Sequence, residues 1–177
     1  MRISKALRLC IAMFSCLYAQ FSAAQDVFYL GYEQGEFEIE QTDYREIGVS
    51  SLSIGASNSE YTLQLSAYKF DDVKADTANI IDAADREIEG YGLQLGKTFR
   101  VFKILELEVN YGRFWWETRD ILNNVRIDEQ SGADRLLEAG LSVNIGQVGL
   151  YVGRKQMRDV AGSDLDVTVL GARYYFK

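Results

Sequence analysis

Between residues 27 and 176 the chain repeats one unit, a stretch of alternating apolar and polar positions closed by a turn or a polar connection. Alternation with period two is the pattern of a strand, whose successive side chains point to opposite faces. It predicts eight strands, over 27–34, 46–56, 61–70, 88–99, 102–117, 135–145, 148–158 and 165–176. The connections after the second, fourth and sixth are short: Ser57 to Glu60, Arg100-Val101 and Gly146-Gln147. The last is a Gly-X pair, which suits a two-residue type II′ hairpin because glycine takes the positive φ of the first turn position. The other four connections, beginning near Gly35, Asp71, Thr118 and Asp159, run from about six to about 17 polar residues. Short turns on one side and long loops on the other describe an all-β, eight-stranded antiparallel up-and-down transmembrane β-barrel.

One face of each strand is apolar. The segment 135–145 sends Leu137, Ala139, Leu141, Val143 and Ile145 one way and Glu138, Gly140, Ser142 and Asn144 the other. The segment 102–117 divides in the same manner, Leu105, Leu107, Val109 and Tyr111 against Glu106, Glu108, Asn110 and Gly112. A soluble barrel would turn the apolar face inward and a membrane barrel would turn it outward. The large rings discriminate. Phe28, Tyr61, Phe99, Phe102 and Phe176 fall near the short-turn ends of their strands. Tyr32, Phe70, Tyr91, Tyr111, Trp115 and Trp116 fall toward the long-loop ends. Two girdles of rings, one at each end of an apolar band, are the arrangement of bilayer interfaces, whereas a soluble core holds its rings at mid-strand.

An export leader precedes the strands. Arg2, Lys5 and Arg8 form a basic stretch, Leu9 to Phe21 an apolar one, and Ser22-Ala23-Ala24 a small-residue cleavage site. The expected division is a cleaved signal peptide over 1–24 and one barrel domain over 25–177. Both cysteines, Cys10 and Cys16, lie in that leader, so the mature chain is expected to hold no disulfide and no thiolate metal site. The leader carries three basic residues and no acidic one, which leaves 16 basic against 26 acidic residues, a formal −10. Such a balance argues against nucleic acid, whose affinity rests on Lys and Arg meeting phosphates.

The C-terminal segment Leu170-Gly171-Ala172-Arg173-Tyr174-Tyr175-Phe176 resembles the closing strand of the small eight-stranded outer-membrane barrels, the OmpA/OmpX-like β-barrel domain family. The opening Phe28-Tyr29-Leu30-Gly31-Tyr32 is similar to that family's first strand. The resemblance covers the whole mature chain and is specific for architecture only, since the family includes adhesins, resistance factors and proteins of no known activity. It implies an integral outer-membrane location with long loops outside and termini in the periplasm. It casts Phe176 as the terminal aromatic read by the barrel assembly machinery. Outer-membrane lipid and lipopolysaccharide are then the expected surroundings, with an extracellular partner at the loops left open and no cofactor implied.

Candidate chemistry is sparse. The chain has no histidine, so the serine–histidine arrangement of outer-membrane hydrolases is unavailable to it. Glu106 and Glu108 share a face as i, i+2 neighbours, a pairing commoner in salt-bridged barrel filling than in acid–base catalysis. Acidic residues crowd the first two loops, Glu36, Glu38, Glu40 and Asp43, then Asp71, Asp72, Asp76, Asp82, Asp85 and Glu87. Their spacing lacks the central glycine of an EF-hand, and a solvated acidic rim is the expectation. Residues 76–86 carry the pattern of a short helix.

The lumen is more specific. A two-residue turn at Gly146-Gln147 makes Ile145 face Val148, so Glu138 meets Lys155 and both point inward, while Arg154 turns outward beside Ala139. Arg173 projects inward toward Glu106, with Glu108 on the same face. Opposite charges bridging a narrow interior predict a filled barrel, and the resemblance to a family that includes adhesins and resistance factors then implies a non-catalytic surface, structural, adhesive or envelope-protective protein. A narrow channel for small solutes or ions is the second reading, and a barrel for an apolar ligand the third.

Overall fold

The computed structural model describes residues 27–38, 47–58, 60–71, 85–122, 125–160 and 162–176. The expected leader and the acidic segment 72–84 lie outside the described residues, as do Glu40 and Asp43 of the first loop. Eight strands form: β1 Val27–Glu38, β2 Ile47–Ser57, β3 Tyr61–Phe70, β4 Asp85–Arg100, β5 Leu105–Leu122, β6 Val125–Ile145, β7 Val148–Val160 and β8 Ser163–Phe176. Each pairs antiparallel with its sequence neighbours, and β1 closes on β8. Closure leaves every strand paired on both edges, the condition for placing a sheet in lipid.

The register fixes the shape. From Phe28 the paired positions run through Ala56, Leu63, Leu95, Tyr111, Leu137, Gln156 and Asp166 and return to β1 at Glu38, ten residues from the start. A stagger of that size in eight strands tilts them by about 40° and leaves an interior that side chains fill. Gly146 sits at φ 65°, and beyond that turn Ile145 faces Val148, Leu141 faces Val152 and Glu138 faces Lys155.

Leu30, Ile54, Val109, Leu141, Leu150, Val152 and Leu170 stand exposed on the outer wall. Phe28, Tyr61, Phe99, Phe102 and Phe176 are exposed toward the turn end, and Tyr32, Tyr91, Tyr111 and Trp115 toward the loop end. Phe70 and Trp116, expected in the same girdle, instead point inward and are buried. Both share the strand parity of the lumen residues, Phe70 with Tyr68 and Trp116 with Phe114, and parity decides the face whatever the height.

Five boundaries differ from the pattern, the first being that β1 runs on to Glu38, so that Gly35, Glu36 and Glu38 of the expected first loop are strand residues paired to β8. Phe102 lies in a turn over 101–104, where the Val101 and Phe102 amides both donate to the Leu105 carbonyl at 3.0 and 3.1 Å, so β5 starts at Leu105. Asp85 and Arg86, the end of the expected helix, are strand residues of β4. The expected 17-residue loop after residue 117 is a continuation of β5 and β6, paired to Leu122↔Val125 with a bulge at Asp120/Ile121. The fourth long connection likewise shrinks, since β7 and β8 run on to Val160↔Ser163 past a register shift. At the loop end the physical reason is common: the strands run past the apolar alternation by which they are recognised, and backbone pairing continues without it.

Candidate functional site in the lumen

Five charged side chains meet at mid-barrel. Glu33 on β1, Glu108 on β5, Glu138 on β6, Lys155 on β7 and Arg173 on β8 are each no more than 3% exposed. The alternation of each strand turns them inward, and the narrow bore brings them within reach. The Lys155 ammonium donates to Glu33 Oε2 and lies 3.4 Å from Glu138 Oε2. The Arg173 guanidinium bonds Glu108 Oε2 at 2.6 Å and sits 3.7 Å from Glu33 Oε1 and 3.9 Å from Glu138 Oε1. Glu33 therefore bridges the two cations, one oxygen toward each.

Neutral groups complete the cluster. Ser51 donates to Glu33 at 3.0 Å and Gln94 to Glu138 at 2.8 Å. The Tyr29 hydroxyl donates to Gln64 at 2.7 Å. Rings cover the cations: Arg173 lies 4.5 Å from the Tyr151 centroid and 5.1 Å from Tyr29, and Lys155 5.1 Å from Tyr68. Tyr151 lies against the wall because Gly140 offers no side chain there; a Cβ would come within 2.5 Å of its hydroxyl oxygen. Cation–π contact with such rings is strongest where water is excluded.

Toward the loop end the lumen turns apolar. Phe70, Phe114, Leu136, Met157, Leu165, Val167 and Val169 fill it, with Tyr68 and Phe114 edge to face at 5.4 Å. Toward the turn end it opens into a vestibule of about 470 Å³ bordered by Thr62, Thr98, Arg100, Glu106, Asn144 and Tyr175.

The residues singled out from sequence divide accordingly. Glu138 and Lys155 lie together, and Arg173 joins them through Glu108. Glu106 stands apart from Arg173: it pairs with Arg100 at 3.4 Å and accepts from Asn144 at 2.7 Å in the vestibule wall. The reason is depth, since Arg173 pairs in the ladder with Gly149 and Gly31, and two residues along β5 separate Glu108 from Glu106. Glu106 and Glu108 thus have different partners and do not act as a carboxylate pair. Arg154 points outward and finds Asp166 at 3.6 Å. Glu33 was missed, although the parity of Tyr29, Gly31 and Glu33 in the first strand marks it as inward. The apolar half was missed as well, although Phe114, Leu136, Met157 and Val167 sit at inward positions.

No family model and no curated protein sequence matches the chain. Solved structures do. Neisserial surface protein A is similar over 85% of this chain and 97% of its own, with 11% identity and a TM-score of 0.67. The N-terminal β-barrel domain of Pseudomonas aeruginosa OprF matches over 86% and 98%, at 15% identity and a TM-score of 0.64. Ail, the attachment invasion locus protein of Yersinia pestis, matches over 85% and 97%, at 15% identity and a TM-score of 0.60. At these identities the likeness is one of fold: the closed antiparallel barrel described above is shared with these outer-membrane and surface proteins.

Proposed function

We propose that this chain is a non-catalytic outer-membrane protein whose barrel is a closed scaffold and whose work is done at the loop end, in a surface, structural or adhesive role. The observation that carries this reading is the filled lumen: among the described residues an ion-paired layer is stacked beneath an apolar one, and the side chains of both are buried. The carboxylates that would serve catalysis are each held by a cation or an amide. An apolar ligand in the lumen is disfavoured because Phe114, Leu136 and Val167 are wholly buried and occupy that space themselves.

The outer-membrane location is supported by the outward apolar wall, the exposed rings toward both ends and the likeness to outer-membrane barrels. In the proposed orientation the β5–β6 hairpin and the acidic connections face the outside and both termini the periplasm. The terminal strand with Phe176 is then the segment presented to the assembly machinery, and lipopolysaccharide surrounds the upper wall. The long hairpin, with exposed Asp128, Glu129, Gln130 and Ser131, is the surface offered to a partner.

Sided labelling tests location and orientation together. The protein should fractionate with outer membranes and migrate faster on a gel unheated than boiled. With Ser131→Cys, a membrane-impermeant maleimide should label intact cells, and with Gln147→Cys it should label only after lysis. The opposite pattern would invert the topology, and recovery of a soluble periplasmic protein would end the membrane reading.

A further inference from the structure

Arg113 on β5 and Arg135 on β6 are direct register partners, with Leu93 of β4 next across. Both are exposed on the outer wall. Like charges directly opposite on one face repel, and neither has a carboxylate within ion-pair distance among the described residues. The contrast with the other outward arginines is sharp: Arg119 pairs with Glu117 and Glu89, Arg154 with Asp166 and Arg158 with Asp164. The nearby Asp134 is engaged by the Trp116 indole N–H at 3.1 Å. In a chain of formal charge −7, two adjacent cations without a protein carboxylate are a place where an anion from elsewhere would relieve their repulsion.

Height and surroundings say which. On β6 the outward positions from Ile145 to Leu137 are apolar, and Arg135 follows ten residues above Ile145. At about 3.3 Å per residue and a tilt of about 40° that is a climb of about 25 Å, the height of the apolar band of an outer-membrane barrel. Both guanidinium groups thus reach the headgroup level, beside Trp115. Arg113 Nη2 donates to the Ala133 carbonyl at 3.3 Å, which directs its fork along the wall. A hollow of about 590 Å³ is lined at one end by both arginines and Asp134 and continues along Leu93, Leu95, Leu63 and Tyr111, with Gln94 at its floor. A cationic fork at one end of a largely apolar hollow is complementary to one kind of molecule, a phosphorylated lipid lying alongside the barrel.

We propose that Arg113 and Arg135 bind the phosphate of an acylated, phosphorylated glycolipid of the outer leaflet, with one acyl chain in that hollow. Two arginines engage a phosphate through charge-assisted, bidentate hydrogen bonds, which a point charge does not reproduce. The inference rests on the outer-membrane reading above. It specifies one side of the barrel, the β4–β6 face, as the side that holds an annular lipid in place.

The test uses the folded barrel in phosphatidylcholine nanodiscs, with retention read by native mass spectrometry. The probes are bisphosphorylated lipid A, the same lipid with its phosphates removed, and inorganic phosphate. The wild-type barrel should retain the phosphorylated lipid about tenfold or more over the dephosphorylated one, and Arg113→Gln with Arg135→Gln should abolish the preference. Leu93→Trp, which fills the hollow and keeps both arginines, should weaken both lipids and leave the preference intact. Should the double variant not fold, each single Arg→Gln variant is expected to lose part of the preference. Equal retention of the two lipids by wild type, a preference unchanged by the arginine variants, or full competition by inorganic phosphate would overturn the proposal. Failure of the wild-type chain to fold in any bilayer would instead overturn the membrane reading on which it stands.

Discussion

The two halves of the lumen are built from opposite materials on the same strands. At mid-barrel the inward positions are Glu33, Glu108, Glu138, Lys155 and Arg173; toward the loop end they are Phe70, Phe114, Leu136, Met157 and Val167. The apolar half is held by close packing. The ionic half is held by three carboxylates gathered about two cations, so removing either cation leaves buried carboxylates without their partner. A barrel of eight strands can therefore be closed twice over, once by sterics and once by electrostatics, and the two closures should fail in different ways.

The largest expected effect comes from unbalancing the ionic half. Lys155→Ala leaves Glu33 and Glu138 facing each other without their ammonium and should cost about 3–5 kcal/mol in urea unfolding from lipid vesicles, the range for breaking a buried pair from one side. The same site sharpens the contrast: Lys155→Met combined with Glu33→Gln and Glu138→Gln removes charge from both sides and should recover most of that loss. If the combined variant is as unstable as Lys155→Ala, charge matching is not what holds this layer.

In the apolar half the cost should follow volume instead. Leu136, wholly buried, should lose about 2–5 kcal/mol on truncation to alanine and recover nothing from any change of charge in the layer below. On the outer wall, Leu170→Arg places a cation against lipid midway along β8 and should cost about 2–4 kcal/mol. A neutral result there would mean that this face does not contact hydrocarbon. The smallest effect belongs to the half-exposed pair of Arg119 with Glu117 near the loop end, where Arg119→Ala should change stability by about 1 kcal/mol or less.

The contrast also separates what the sequence discloses from what it conceals. Strand number and the register of β6 on β7 follow from period-two alternation and one Gly-X turn, because both are local. The pairing of Glu138 with Lys155 is of the same kind, as it needs only that turn. Arg173 is different: its partner depends on the stagger accumulated around the whole barrel, and the geometry gives it Glu108 in place of Glu106. Glu33 reaches Lys155 over the intervening β8, at Gly171, rather than along a hairpin, so no spacing announces it. Phe70 and Trp116 were legible by parity, yet their position near strand ends suggested a bilayer girdle. The β5–β6 extension is hidden for another reason, since strands that leave the bilayer lose the apolar face by which they are recognised.

The central claim, that the lumen is closed, is tested most directly by single-channel recording of the purified wild-type barrel in a planar bilayer. Little or no steady conductance is predicted, with brief openings at most in Lys155→Ala, since the apolar layer of Phe114 and Leu136 still obstructs the path when the ionic layer is loosened. Large, stable conductance from the wild-type protein would contradict the closed-barrel account and put the channel reading in its place.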